Sequence, residues 1–316
     1  MRASACLISL LTVALAVACS PGSTVGEDAT AAAQVPSTEP TVRPDHTPLI
    51  YGPRSPDGLQ AILGTADLGV GDSRFGFVLT SPEGFVTEPL VRVTSRYFAG
   101  EGSDGRTRQT VDAVYQPWPY GNRGLYATQL RFDRAGLWGV DIEIEGADGV
   151  GDVAQLLFDV EESPSAPAVG AAAVKSASKT QADVESLSEL TTGSLQDTDL
   201  YQATIAQAVE SGRPTVLVFA SPAFCTNAVC GPQVEVLQEL KNTHGRKANF
   251  VHVDFYDNPQ EIQGDLSKAR LSPTVVEWRL PSIEWTFVID AGGTIVARFE
   301  AFATYDEVDQ ALRPLL

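Results

Sequence analysis

Between residues 48 and 162 apolar side chains recur at every second position in short runs. The clearest is 137–145, where Val140, Ile142 and Ile144 alternate with Asp141, Glu143 and Glu145. A period of two places one set on a buried face of a strand and the other in water. Similar runs occupy 75–79, 90–93, 125–132 and 154–160, with Asp and Gly between them at 57–58, 69–72, 104–105 and 148–149. Such punctuation marks turns. No long helical pattern interrupts, so the region 48–162 is expected to form an antiparallel sandwich of about seven strands.

Residues 163–181 are rich in Ala, Ser and Pro, with Lys175 and Lys179 as their charges. They are expected to act as a linker. The pattern then changes. Leu200, Ile205, Ala208 and Val209 share a helical face that ends at Gly212 and Pro214. The run 215–220 is continuously apolar, as in a strand buried on both faces. After Pro232, Val234, Val236, Leu237 and Leu240 form an apolar helical stripe. Strands are expected over 249–256, 284–290 and 294–299, the last two joined by a turn at Asp290-Ala291-Gly292-Gly293. Thr304 and Glu307 have capping-box spacing for a final helix.

The chain has 316 residues and a formal net charge of −18. It contains no cluster of Lys and Arg, which argues against nucleic acid as a partner, because phosphate contacts need concentrated positive charge. Residues 1–18 carry a positive charge near their start, at Arg2, and continue with an apolar run over 7–18, broken by Ser9 and Thr12. That run is too short to span a bilayer and reads as a signal peptide. Residues 19–47, rich in Ala, Thr, Pro, Ser and Gly, read as a flexible tether.

Of the four cysteines, Cys6 lies in the leader and Cys19 at its end. Cys225 and Cys230 follow the strand 215–220 and precede a helix, a setting in which thiol–disulfide chemistry is common. Cys225 would attack as a nucleophile, and Cys230 would resolve the mixed disulfide. Two other readings stay open. The pair can be a structural disulfide in an exported domain, or two thiolates can hold a soft metal such as Cu(I). His244 lies at a helix end, and His252 lies within a strand whose neighbours look buried, where local hydrogen bonds account for a histidine. The segment Tyr115-Gln116-Pro117-Trp118-Pro119-Tyr120 interleaves aromatics with prolines, suited either to a partner-binding loop or to capping one end of the sandwich. No P-loop, dinucleotide fingerprint or Ser-His-Asp arrangement is present, and no cofactor is expected.

Three resemblances add to this. The tail Leu15-Ala16-Val17-Ala18-Cys19 resembles the lipobox of bacterial lipoproteins, with Ala16 where Leu is commonest. This implies lipidation of Cys19, an extracytoplasmic location and a membrane held through the lipid anchor. The run Asp133-Arg134-Ala135-Gly136-Leu137-Trp138-Gly139-Val140 resembles small immunoglobulin-like domains of bacterial envelope proteins. The region 182–316 resembles the thioredoxin fold: Val216-Leu217-Val218-Phe219 as the strand before the active site, Phe224-Cys225 as its opening, Val251-His252-Val253-Asp254 with Asn258-Pro259 as the next strand and its exit, and Trp285-Thr286-Phe287-Val288-Ile289-Asp290 with Gly293 as the later strand.

The resemblances together imply two domains, an all-β immunoglobulin-like sandwich followed by an α/β thioredoxin-like domain. They also imply a loop of Phe224, Glu284 and Trp285 facing the substrate, with Glu284 where the family carries a proline opposite the nucleophilic sulfur. The partners would be thiols or disulfides of exported proteins, together with a redox partner protein. The alternatives are a non-catalytic binding or assembly module and a copper-handling assembly factor. Two features depart from the family: four residues rather than two separate the cysteines, and Glu284 replaces the proline.

Overall fold

The computed structural model describes residues 49–100, 104–144, 151–194, 196–225 and 229–316. The leader, the tether, Cys19 and the three residues between Val229 and Cys225 lie outside the described residues. Among the described residues no helix is long and apolar enough to cross a membrane.

Alternating patterns of the first half become β1 (Gln60–Leu63), β2 (Gly71–Ser81), β3 (Gly84–Phe85), β4 (Leu90–Tyr97), β5 (Arg106–Pro117), β6 (Gly124–Phe132), β7 (Gly136–Glu143) and β8 (Val153–Val160). They form one antiparallel sheet in the order β1-β2-β6-β5-β4-β7-β8, with β3 paired to β2. This corrects the expected immunoglobulin-like sandwich: the strands make a nearly closed, barrel-like sheet rather than two stacked ones. The long strands carry the sheet around. β5 pairs with β4 up to Val114 and with β6 from Val114 onward. β2 pairs with β6 over Gly71 to Phe77 and with β1 over Phe77 to Thr80. A bulge between Ser95 and Arg96 adds curvature.

Closure is completed at the ends of the sheet. The Val70 amide donates to the Glu161 carbonyl, and the Glu161 amide donates to the Leu68 carbonyl. Gly69, between them, presses on Pro164, and a Cβ there would collide with that ring. Gly52 likewise lies against the Gln155 carbonyl of β8, leaving no room for a side chain. Inward-facing aromatics fill the interior. Phe75 meets Phe158 at 5.1 Å between ring centroids, and Phe132 meets Trp138 at 5.0 Å. Trp138 is fully buried and donates its indole N–H to the Arg134 carbonyl.

The second half gives α1 (Ile205–Glu210), β9 (Thr215–Phe219), α2 (Cys230–His244), β10 (Asn249–Val253), α3 (Pro259–Ile262), α4 (Pro273–Glu277), β11 (Trp285–Ile289), β12 (Ile295–Glu300) and α5 (Tyr305–Leu312). The sheet order is β10-β9-β11-β12, with β9 and β10 parallel and the other pairs antiparallel. The expected capping box is present at α5, where Thr304 and Glu307 satisfy each other's backbone amides. The expected α/β thioredoxin-like domain is not what forms. The protein is mostly β with few helices, and α2, at 15 residues, is the one long helix among those described. Punctuation explains the shortfall. Pro259, Gly264, Pro273 and Pro281 divide the stretch after β10 into short turns, and a break before Thr204 confines α1 to six residues.

The described residues fall in one compact unit. Residues 163–181 are an ordered strap. Ala166 and Ala173 are buried. The Ala173 amide donates to the Gly293 carbonyl and the Gly170 amide to the Ile295 carbonyl, beside the edge of β12. Leu125 and Ala127 of β6 belong to the same apolar core as β9 and β11.

Two arginines, Arg74 buried and Arg298 partly buried, clasp the sheets together. Arg74 of β2 donates from Nε and Nη2 to the Glu307 carboxylate at 2.8 and 3.2 Å, and to the Glu300 and Phe302 carbonyls at 3.0 and 2.9 Å. Arg298 of β12 reaches back to the Asp67 carboxylate and carbonyl and to the Ala166 carbonyl. Glu300 lies between them, accepting from the Asp67 amide and the Ser282 hydroxyl. Burial outweighs those hydrogen bonds and the nearby Arg298, and pushes its pKa up to about 7.

Removing one partner of a buried, multiply bonded ion pair strands the rest, whereas an exposed pair is worth little. Arg74→Ala is therefore expected to destabilise the protein by about 3 kcal/mol in urea unfolding. Arg74→Lys should fail to restore it, because an ammonium cannot reproduce the fork. Asp72→Ala, which breaks the exposed pair with Arg131, should change stability by less than about 1 kcal/mol.

Candidate functional site

Strand β9 is buried along its whole length and delivers the chain at Ala220 to the cysteine loop. Its continuous apolar run can only sit between neighbours on both sides, β10 and β11. The loop is then pinned from beneath. The Phe224 amide donates to the Ser221 carbonyl, and the Ala223 amide to the Thr192 hydroxyl. Thr192 in turn donates its hydroxyl and its amide to the Asp254 carboxylate, at 3.0 and 2.7 Å. Asp254, just past β10, also accepts from the Tyr256 amide.

Cys225 and Cys230 are joined in a disulfide, with Cα atoms 5.8 Å apart. The five-residue separation is no obstacle, because α2 starts at Cys230 and leaves Cys225 on the loop. The two sulfurs are not equivalent. Cys225 is partly exposed, while Cys230 is fully buried. Cys230 is also the first residue of α2, where the positive end of the helix favours a thiolate.

Glu284 comes from the other side, at the start of β11. It is 3 % exposed, and its carboxylate lies within 4.8 Å of both sulfurs. Two sulfurs and one carboxylate are the donors that could hold a metal here. Repulsion from the carboxylate opposes a thiolate, against the pull of the helix end. Of the other residues predicted for this loop, Phe224 is half-buried with its ring 6.1 Å from that of Tyr256. Trp285, also predicted for this loop, is fully enclosed. It is buried in β11, stacked on Phe287 and covered by the Arg298 guanidinium, because alternation along the strand turns it towards the clasp. Cys19 lies outside the described residues.

Neither described histidine joins the sulfurs. His252 is buried, with Nε2 3.1 Å from the Ala220 carbonyl and Nδ1 2.7 Å from the Tyr201 hydroxyl. A carbonyl only accepts, so Nε2 carries the proton and Tyr201 donates to Nδ1. Burial drives the imidazole pKa down to about 4 and keeps the ring neutral. His244 Nε2 lies 2.6 Å from the Asp309 carboxylate. The sequence did not reveal that the aromatic loop of the first sheet comes to the site. Trp118, Pro119, Tyr120 and Arg123 line a cavity of about 270 Å³ with Val229 and Pro232. Tyr120 donates its hydroxyl to Glu235 of α2. The prolines and aromatics were the signal, but their partner is remote in sequence.

No family model matches the chain, and no curated protein matches it in sequence.

Asp254 and His252 give the site opposing pH responses. Burial raises the Asp254 pKa from 3.8 to about 6 against four hydrogen bonds that lower it. Its folded form binds more protons than the unfolded chain in that window, so its contribution to stability is lost as pH rises. His252 falls from 6.5 to about 4, and its contribution is lost as pH falls through the same window. Asp254→Asn removes only the first effect. Urea unfolding from pH 4 to pH 6.5 is expected to show stability rising with pH more steeply in the variant than in the parent. A pH-independent loss of about 1–2 kcal/mol should accompany it, because an Asn amide must face a backbone donor.

Proposed function

We propose that the chain carries out thiol–disulfide exchange with other proteins at the Cys225–Cys230 pair. The observation that carries this reading is the unequal exposure of the two sulfurs: an incoming thiolate can reach Cys225 and not Cys230. Attack on Cys225 Sγ forms a mixed disulfide and breaks the Cys225–Cys230 bond. The electron pair goes to Cys230 Sγ, which leaves as a thiolate at the start of α2. The partner's second thiol then attacks the mixed disulfide and leaves with both of its sulfurs oxidised. Two electrons have passed to this protein. In the other direction the Cys225 thiolate attacks a substrate disulfide, and Cys230 resolves it.

The sequence supports a setting for this chemistry. A leader ending at Cys19 would place the body outside the cytoplasm on a lipid anchor, facing thiols and disulfides of exported proteins and a protein that restores its redox state. One observation favours a second reading, a binding module with a structural disulfide. The buried carboxylate of Glu284 beside the sulfurs disfavours the reduced, charged state.

Equilibration against defined glutathione ratios, read by mass after alkylation, separates the two. Exchange chemistry predicts a potential of about −120 to −270 mV, and Cys230→Ser should accumulate mixed disulfides through Cys225. A potential below about −300 mV would instead mark a structural bridge.

A further inference from the structure

We infer that the reduced Cys225–Cys230 pair, together with Glu284, is a binding site for a zinc ion, so that the redox state of the pair controls a metal site. The inference rests on the proposed reading only in needing a pair that can be reduced.

The donor set is assembled by the fold from three remote places. Cys225 comes from the loop after β9, Cys230 from the start of α2, and Glu284 from the start of β11. One donor atom from each lies within 4.8 Å of the others. A tetrahedral zinc ion with Zn–S bonds of about 2.3 Å needs its sulfurs about 3.7 Å apart. Breaking the disulfide lets the sulfurs part towards that spacing while the carboxylate stays in reach. The backbone on both sides is held. The Ala301 amide donates to the Glu284 carbonyl, and the Ser221–Thr192–Asp254 chain holds the loop before Cys225.

The chemistry of the donors selects the metal. Two thiolates suit zinc and Cu(I), while a carboxylate is a hard oxygen donor that suits zinc and does little for Cu(I). With both sulfurs deprotonated, three anionic donors would stand together in a largely buried place, a costly arrangement without a cation, so the thiol protons leave only as the metal enters. A divalent ion offsets that charge. The fourth position opens beside Cys225, the partly exposed ligand, and takes water or a donor from a partner.

The steps balance. Reduction by a dithiol adds two electrons and two protons to the pair, and the dithiol leaves as its disulfide. Zinc then displaces the two thiol protons. A substrate disulfide reverses this: the two thiolates lose two electrons to it, re-form the Cys225–Cys230 bond and release Zn²⁺, and the substrate leaves as two thiolates.

The full chain, reduced with a phosphine and freed of reductant, is titrated with Zn²⁺ against a chromophoric chelator and, separately, with Co²⁺. One zinc per chain is expected, with proton release, none in the oxidised protein, and cobalt bands typical of tetrahedral thiolate coordination. Glu284→Gln should weaken zinc at least tenfold and shift the cobalt d–d bands while retaining the sulfur-to-cobalt absorption. Circular dichroism of each sample checks the fold. Unchanged zinc affinity in Glu284→Gln, binding of Cu(I) without zinc, or loss of the fold on reduction would overturn the inference. Because the reductant is chemical, failure here leaves the glutathione measurement to decide the exchange reading independently.

Discussion

The clasp of Arg74 and Arg298 between the barrel-like sheet and the four-stranded sheet is the constraint on which the rest of the structure depends. Each guanidinium is nearly excluded from water and spends its donors on backbone carbonyls as well as on a carboxylate. Carbonyls at Glu300 and Phe302 terminate β12 and lead into α5, so Arg74 fixes where the second sheet ends relative to the first. Aromatic faces complete the contact, with Arg74 over Phe299 and Arg298 over Trp285. Charges shielded in this way are tolerated where good geometry and added hydrogen bonds offset their desolvation. The geometry of the clasp is therefore strict, and so is the register between the layers.

That register reaches the cysteines. The clasp fixes β11 and β12, and Glu284 stands at the start of β11. It also fixes the barrel-like sheet against the second core, and so brings the loop of Trp118 and Tyr120 to α2. The site is consequently shared: β9 and α2 supply the sulfurs, β11 the carboxylate, and a loop of the first sheet one wall of the adjacent cavity. Beneath it, His252 and Asp254 occupy the end of β10 as buried polar groups with their partners satisfied. Their hydrogen bonds tie the end of β9 and the segment around Thr192 to β10. Opposed electrostatics act on the sulfurs themselves, the helix end favouring a thiolate and Glu284 disfavouring it.

What the sequence determined by itself was local. Alternation over 137–145 made β7, a continuous apolar run made β9, the stripe after Pro232 made α2, and Thr304 with Glu307 made the cap of α5. These follow from side-chain periodicity and backbone hydrogen bonding within a few residues, which any reading of the chain contains. The place of the disulfide was legible for the same reason, as a cysteine pair between a strand and a helix. Tertiary structure alone decided the rest. A period of two says that one face of a strand is buried, and not whether the sheet splits into a sandwich or curls nearly shut. That choice was made by strands long enough to change partners at Val114 and Phe77, and by the contacts at Gly52 and Gly69. Arg74 and Arg298 look in the sequence like ordinary surface cations on alternating strands. Only the packing of one layer on the other encloses them, turns a presumed linker into a strap and sets Glu284 beside the sulfurs. Contacts of that kind join residues from over fifty to more than two hundred positions apart, where pattern carries no information.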